Sequence, residues 1–165
     1  MFQFLHLTAW LLSASLLFGV QNLQEQAAKF RAHFAQESDP LRKARLMTHY
    51  GDLQFQDMQS ALDDGNIAQA VVDLRNFRDQ ALSCSKSLDA KEADPEKHSG
   101  GFKQLQISVR ESLRRLEDII VRLNADDNKP FIEVRNDLEE LDRHLVKELF
   151  PRQPAVDPKQ SKPKS

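Results

Sequence analysis

The chain has 165 residues, enough for one domain with a modest core and no need of metals or crosslinks. Its 23 basic and 25 acidic residues leave a net charge of −2, so no global field draws it to nucleic acid or to an anionic membrane. The single cysteine, Cys84, excludes an intrachain disulfide framework, so packing must hold the fold.

Residues 1–24 contain no Asp, Glu, Lys or Arg, and Ala9 to Val20 is almost wholly apolar. This is the pattern of a membrane address followed by a water-exposed body. Residues 1–20 are therefore expected to be a signal peptide or an N-terminal membrane anchor. An apolar segment of this length fits the hydrophobic region of a secretory signal. Its n-region lacks Lys and Arg, and its cleavage site is ambiguous: Ser13-Ala14-Ser15 sits early and Leu17-Phe18-Gly19 carries a bulky Leu. An uncleaved anchor therefore competes, since Phe2 to Val20 approaches the length of a bilayer span. The bland alternative is a core helix of a cytoplasmic protein.

The body, residues 22–150, reads as helices throughout. The first covers about 22–37, with Leu23, Ala27, Phe30 and Phe34 on one face. Ser38-Asp39-Pro40 stops it: Pro disfavours helical geometry before it, and Asp39 suits an N-cap. The second helix covers about 40–63 with the stripe Leu41, Ala44, Met47, Gly51, Phe55, Met58 and Leu62. Gly51 there implies a close helix approach or a bend. Asp64-Gly65-Asn66 punctuates.

The third helix covers about 67–88 and turns Ile67, Ala70, Val71, Leu74, Phe77, Ala81, Cys84 and Leu88 inward. Residues 89–101, with Pro95 and Gly100-Gly101, are expected to form a flexible loop. The fourth helix covers about 102–124, with Phe102, Leu105, Val109, Leu113, Leu116, Ile120 and Leu123. The fifth covers about 131–150, with Phe131, Val134, Leu138, Leu141, Leu145 and Leu149. Outer-face pairs are expected at Glu111–Arg115, Asp118–Arg122 and Glu139–Arg143. Residues 151–165 hold four Pro and four Lys or Arg and are expected to be a disordered tail of net charge +3.

Helices apolar on one stripe must bury those stripes against each other. The fold class is therefore all-α, an antiparallel bundle of four to five amphipathic helices with coiled-coil-like spacing.

The chemistry-bearing residues are sparse. Glu140, His144 and Glu148 stand at i, i+4, i+8 on one face of the fifth helix, but flank its Leu stripe. A solvated salt-bridging face explains them better than a metal. Met47 and Met58 fit gap-filling core better than haem ligands, and no C-x-x-C-H motif occurs. Cys84, among Ser83, Ser85 and Ser87, reads as a small buried hydrophobe rather than a nucleophile. Arg114-Arg115 and Arg42-Lys43-x-Arg45 are basic but interleaved with acids, which argues against nucleic acid.

Gly65-Asn66-x-x-x-Ala70 locally resembles the turn of a tetratricopeptide hairpin. Gln54 and Asp57-Met58 replace that family's first-helix aromatic and Leu-Gly, and no second copy follows at about 34 residues. The resemblance implies a shared helical-hairpin geometry, not membership.

The expectation is an exported, non-enzymatic helical bundle without cofactor, metal or catalytic residue. It would be periplasmic or secreted, acting through protein–protein contacts in the cell envelope. Membrane contact would come only through residues 1–20 if they are retained. The rival is a ligand- or cofactor-binding, sensor-like bundle on an uncleaved anchor.

Overall fold

A computed structural model describes residues 23–90 and 95–150, and every regular element among them is a helix. The leader (1–20) and the tail (151–165) lie outside the described residues. No helix among the described residues is long and apolar enough to cross a membrane.

The chain divides into two units, Met1–Ser38 and Asp39–Ser165. In the first, α1 spans residues 23–36. Its one-turn spacings bring Lys29 within 2.6 Å of Glu25 and stack the rings of Phe30 and Phe34 with centroids 6.5 Å apart.

The second unit holds α2 (Pro40–Asp63), α3 (Ile67–Ala90), α4 (Pro95–Arg122) and α5 (Lys129–Leu149). Local chemistry sets their ends. The Asp39 carboxylate accepts the Arg42 N–H at 2.9 Å, capping α2 with Pro40 in its first turn. At the other end Gly65 takes φ +72°, the left-handed conformation that Gly tolerates best. There the Asn66 N–H donates to the Ala61 carbonyl and the Gly65 N–H to the Leu62 carbonyl, the Schellman pairing. Asn66 then caps α3 by accepting the Gln69 N–H at 3.1 Å.

The expected loop 89–101 is largely helix. α3 continues to Ala90 and α4 begins at Pro95, five residues before the Gly pair. Pro suits a first helical position because its missing N–H needs no partner there. Gly100 and Gly101 lie inside α4, and Gly101 is buried. A Cβ on Gly101 would come 2.7 Å from Leu41 Cδ2 and 3.2 Å from Leu88 Cδ2. The glycine that looks like a breaker is therefore a contact point among three helices.

α2–α3 and α4–α5 are antiparallel hairpins. They do not form a simple ring of antiparallel neighbours. Going round the bundle the order is α2, α3, α5, α4, with α3 and α4 also touching across the middle, while α2 and α5 do not meet. Chain order along the seams gives the direction. Leu41 lies by Gly101, Gly51 by Ser108 and Asp52 by Arg115, so α2 and α4 run parallel. Arg75 faces Glu133, Arg78 faces Asp137 and Asp89 faces His144, so α3 and α5 also run parallel.

The buried core follows the expected stripes closely: Met47, Met58, Leu74, Phe77, Leu88, Phe102, Leu105, Phe131, Leu138 and Leu145 are all sealed. Gly51 is a close-approach site: a Cβ there would stand 2.9 Å from Phe77 Cε2. That ring meets Phe55 edge-on at 5.8 Å, a favourable aromatic geometry. α4 departs from its expected stripe. Leu113, Ile120 and Leu123 are half-buried, while Ser108, Ser112 and Ile119 go inward beside the expected Leu116. Contact with three helices rotates its inner face.

Candidate functional site

Parallel seams leave surface grooves where two helices meet without a hairpin turn to tie them. The α2/α4 groove has a volume of about 600 Å³. Leu53, Phe55 and Ile119 supply its apolar walls, each nearly buried. Arg115 stands at its rim. Its Nη2 is 2.7 Å from Asp52 Oδ1, and its guanidinium carbon lies 5.7 Å from the Phe55 ring centroid. A cation over an aromatic face at an exposed site contributes about 0.5–1 kcal/mol. Arg115 therefore does not form the expected one-turn pair with Glu111. The interhelical carboxylate wins because the guanidinium fork reaches it while its planar face still covers Phe55.

The other expected outer-face pairs also re-sort. Arg122 Nε donates to the Asp118 backbone carbonyl at 3.0 Å, and Glu139 lies 3.5 Å from Arg135 rather than pairing with Arg143.

The α3/α5 groove, about 430 Å³, runs between two ion-pair contacts. At one end Arg78 Nη1 donates to Asp137 Oδ2 at 3.1 Å and Arg78 also holds Asp79. Burial alone would lower the Arg78 pKa, but its two carboxylate partners outweigh that and raise it. At the other end His144 Nε2 lies 3.1 Å from Asp89 Oδ2. Leu82, Ser85 and Leu141 line the groove, with Lys86 and Glu140 on its walls.

The candidate trio of the fifth helix is thus split by its surroundings. His144 is engaged with Asp89 of α3, Glu140 borders the groove, and Glu148 is half-buried further along α5. No group of three or more His, Cys, Asp or Glu able to hold a metal occurs among the described residues. Met47 and Met58 are fully buried in the apolar core. Cys84 is 2 % exposed, and desolvation pushes its thiol up to about 11 despite the opposing pull of Lys43. A buried, protonated thiol is a poor nucleophile.

Neither groove is signalled by any local pattern in the chain. A groove needs two particular helices to be neighbours, and their parallel pairing is not written in any local pattern. The exposed position of Arg115 was the only available hint on α2/α4.

Comparison of the chain with protein-family models, with curated proteins and with solved structures returns no match.

Proposed function

We propose that this chain is an exported, non-enzymatic helical bundle that acts by binding another protein in the cell envelope. The charge-free opening of 24 residues supports the location, as the hydrophobic part of a secretory signal or anchor. The mode of action rests on one observation, the Arg115 guanidinium set over Phe55 and against Asp52 at the rim of the α2/α4 groove. Aromatic and Arg side chains dominate binding hot spots. The mixed charges of Asp52, Arg115 and Asp118 would fix the register of a partner. The partner that fits is an amphipathic helix laying its apolar stripe along Leu53, Phe55 and Ile119.

A photocrosslinker tests this in the native host. Placed at Gln56, exposed on the groove, it should capture one partner. Placed at Asn136, exposed on α5, it should not. Arg115→Glu should abolish the Gln56 product without changing helix content. Identical products from both positions, or none from Gln56, would refute the binding role. Mass analysis of the mature N-terminus tests export separately: a start near Leu16 to Gln21 is expected from cleavage.

A further inference from the structure

We infer that the end of the bundle where α5 finishes docks on an anionic lipid bilayer, with Phe150 in the headgroup layer and Arg143 and Lys147 against lipid phosphates. This surface is separate from the α2/α4 groove and does not depend on the reading given there.

The parallel seams put both hairpin turns at one end of the bundle. At the opposite end Leu41, Leu88 and Gly101 meet, and Asp89 pairs with His144. There α2 begins, α3 ends, α4 begins and α5 ends. This arrangement separates charges that the net value of −2 conceals. At the turn end, residues 58–69 and 117–133 carry seven acidic residues against two basic ones. At the opposite end, residues 39–45, 86–90, 100–103 and 143–150 carry seven basic residues against three acidic ones. The sequence joined to that end adds −1 in residues 91–99 and +3 in residues 151–165. One pole of the bundle is acidic and the other basic.

Phe150 stands at the basic pole and is 72 % exposed. A single exposed aromatic is ordinary on a protein surface. The neighbours of this one set it apart. Arg143 and Lys147 lie one turn apart on α5, both exposed, and neither enters an ion pair among the described residues. Glu133 and Glu140 precede them in the same exposed row, so the row changes sign along α5 and finishes on the aromatic. A ring flanked by cations suits the boundary between acyl chains and anionic headgroups. There the ring leaves water and each cation gains from the lipid charge. A folded polyanion would meet the cations but leave Phe150 in water.

The test is co-sedimentation of the full chain with vesicles. One set is phosphatidylcholine alone, and the other an equal mixture with phosphatidylglycerol. Residues 1–24 carry no Asp, Glu, Lys or Arg, so a preference for the mixed vesicles reports on the body of the protein. Such a preference is expected, and salt should weaken it. Arg143→Gln with Lys147→Gln should lower binding to mixed vesicles about thirtyfold, the loss of two cations near the surface. Phe150→Ser should lower it about tenfold, the loss of one buried ring. Arg122→Gln with Lys129→Gln removes the same charge from the acidic pole and should change nothing. All five positions are exposed, so folding should survive, and circular dichroism checks this. Three outcomes overturn the inference: equal binding to both vesicle types, equal losses from the two double variants, or heparin or single-stranded DNA binding as tightly as the mixed vesicles with no effect of Phe150→Ser.

Discussion

Gly101 of α4 and Leu41 of α2 touch where only a hydrogen atom fits: a Cβ on Gly101 would lie 2.7 Å from Leu41 Cδ2 and 3.6 Å from Leu41 Cα. Leu88 closes the same point from α3 at 3.2 Å. Three helices therefore meet on this glycine, at the end of the bundle where α3 hands over to α4. One residue earlier, Gly100 is exposed and its nearest outside atom is Arg45 Nη2 at 3.9 Å.

Adjacent glycines in one helix should respond in opposite ways to alanine. Gly100→Ala is expected to stabilise by about 0.5–1 kcal/mol, through helix propensity and a less flexible unfolded chain. Gly101→Ala gains the same propensity but overpacks Leu41 and Leu88, and overpacking costs about 1–3 kcal/mol. A net loss of about 1 kcal/mol should result. Urea unfolding of both variants measures the difference, and equal midpoints would show that α4 does not pack so closely.

The Cys84 thiol should make stability fall at alkaline pH. Its folded pKa of about 11 lies above the ordinary thiol value of 9.0. Below pH 9 the thiol is protonated in both states and imposes no pH dependence. Between about 9 and 11 the unfolded chain loses the proton while the folded chain keeps it, so unfolding gains and stability drops. The expected loss is about 2 kcal/mol across that window. Comparing wild type with Cys84→Ala at pH 8, 9, 10 and 11 removes the contribution of other titrating groups. Parallel curves for the two proteins would rule the effect out.

The α4–α5 hairpin carries a buried polar clasp. Gln106, 9 % exposed, donates from Nε2 to Asp142 Oδ1 at 2.9 Å, and Arg110 Nε lies 3.3 Å from the same oxygen. Asp142→Ala should cost about 1–3 kcal/mol because it leaves a buried amide unpaired. Adding Gln106→Leu to Asp142→Leu removes both partners and should recover most of the loss. Thermal melts of the single and double variants decide. If the double variant is no more stable than Asp142→Leu alone, the Gln106 bond is not the source of the cost.

Much of the secondary structure is legible in local pattern. The 3–4 spacing of Leu74, Phe77, Ala81, Cys84 and Leu88 specifies a helix face, and those residues are buried. The stop at Asp64-Gly65-Asn66 is legible too, because left-handed Gly65 and the Asn66 cap act within a few residues. Gly100-Gly101 misleads for the opposite reason. A glycine pair usually weakens a helix, and only packing partners 60 and 13 residues away in sequence, Leu41 and Leu88, show why it is kept inside one.

The sequence by itself determined that the described body is helical, where most helices stop, and which face of each must be covered. It could not determine what covers each face. An apolar stripe specifies burial but carries no address, since dispersion and hydrophobic forces do not name a partner. The tertiary structure decided that α2 lies parallel to α4 and α3 parallel to α5. It also decided that Arg115 leaves its own helix to reach Asp52, and that Ser85, Lys86 and Glu140 share one groove. Those relations depend on shape complementarity over many residues at once, set by notches such as Gly51 and Gly101, and no local window of sequence contains them.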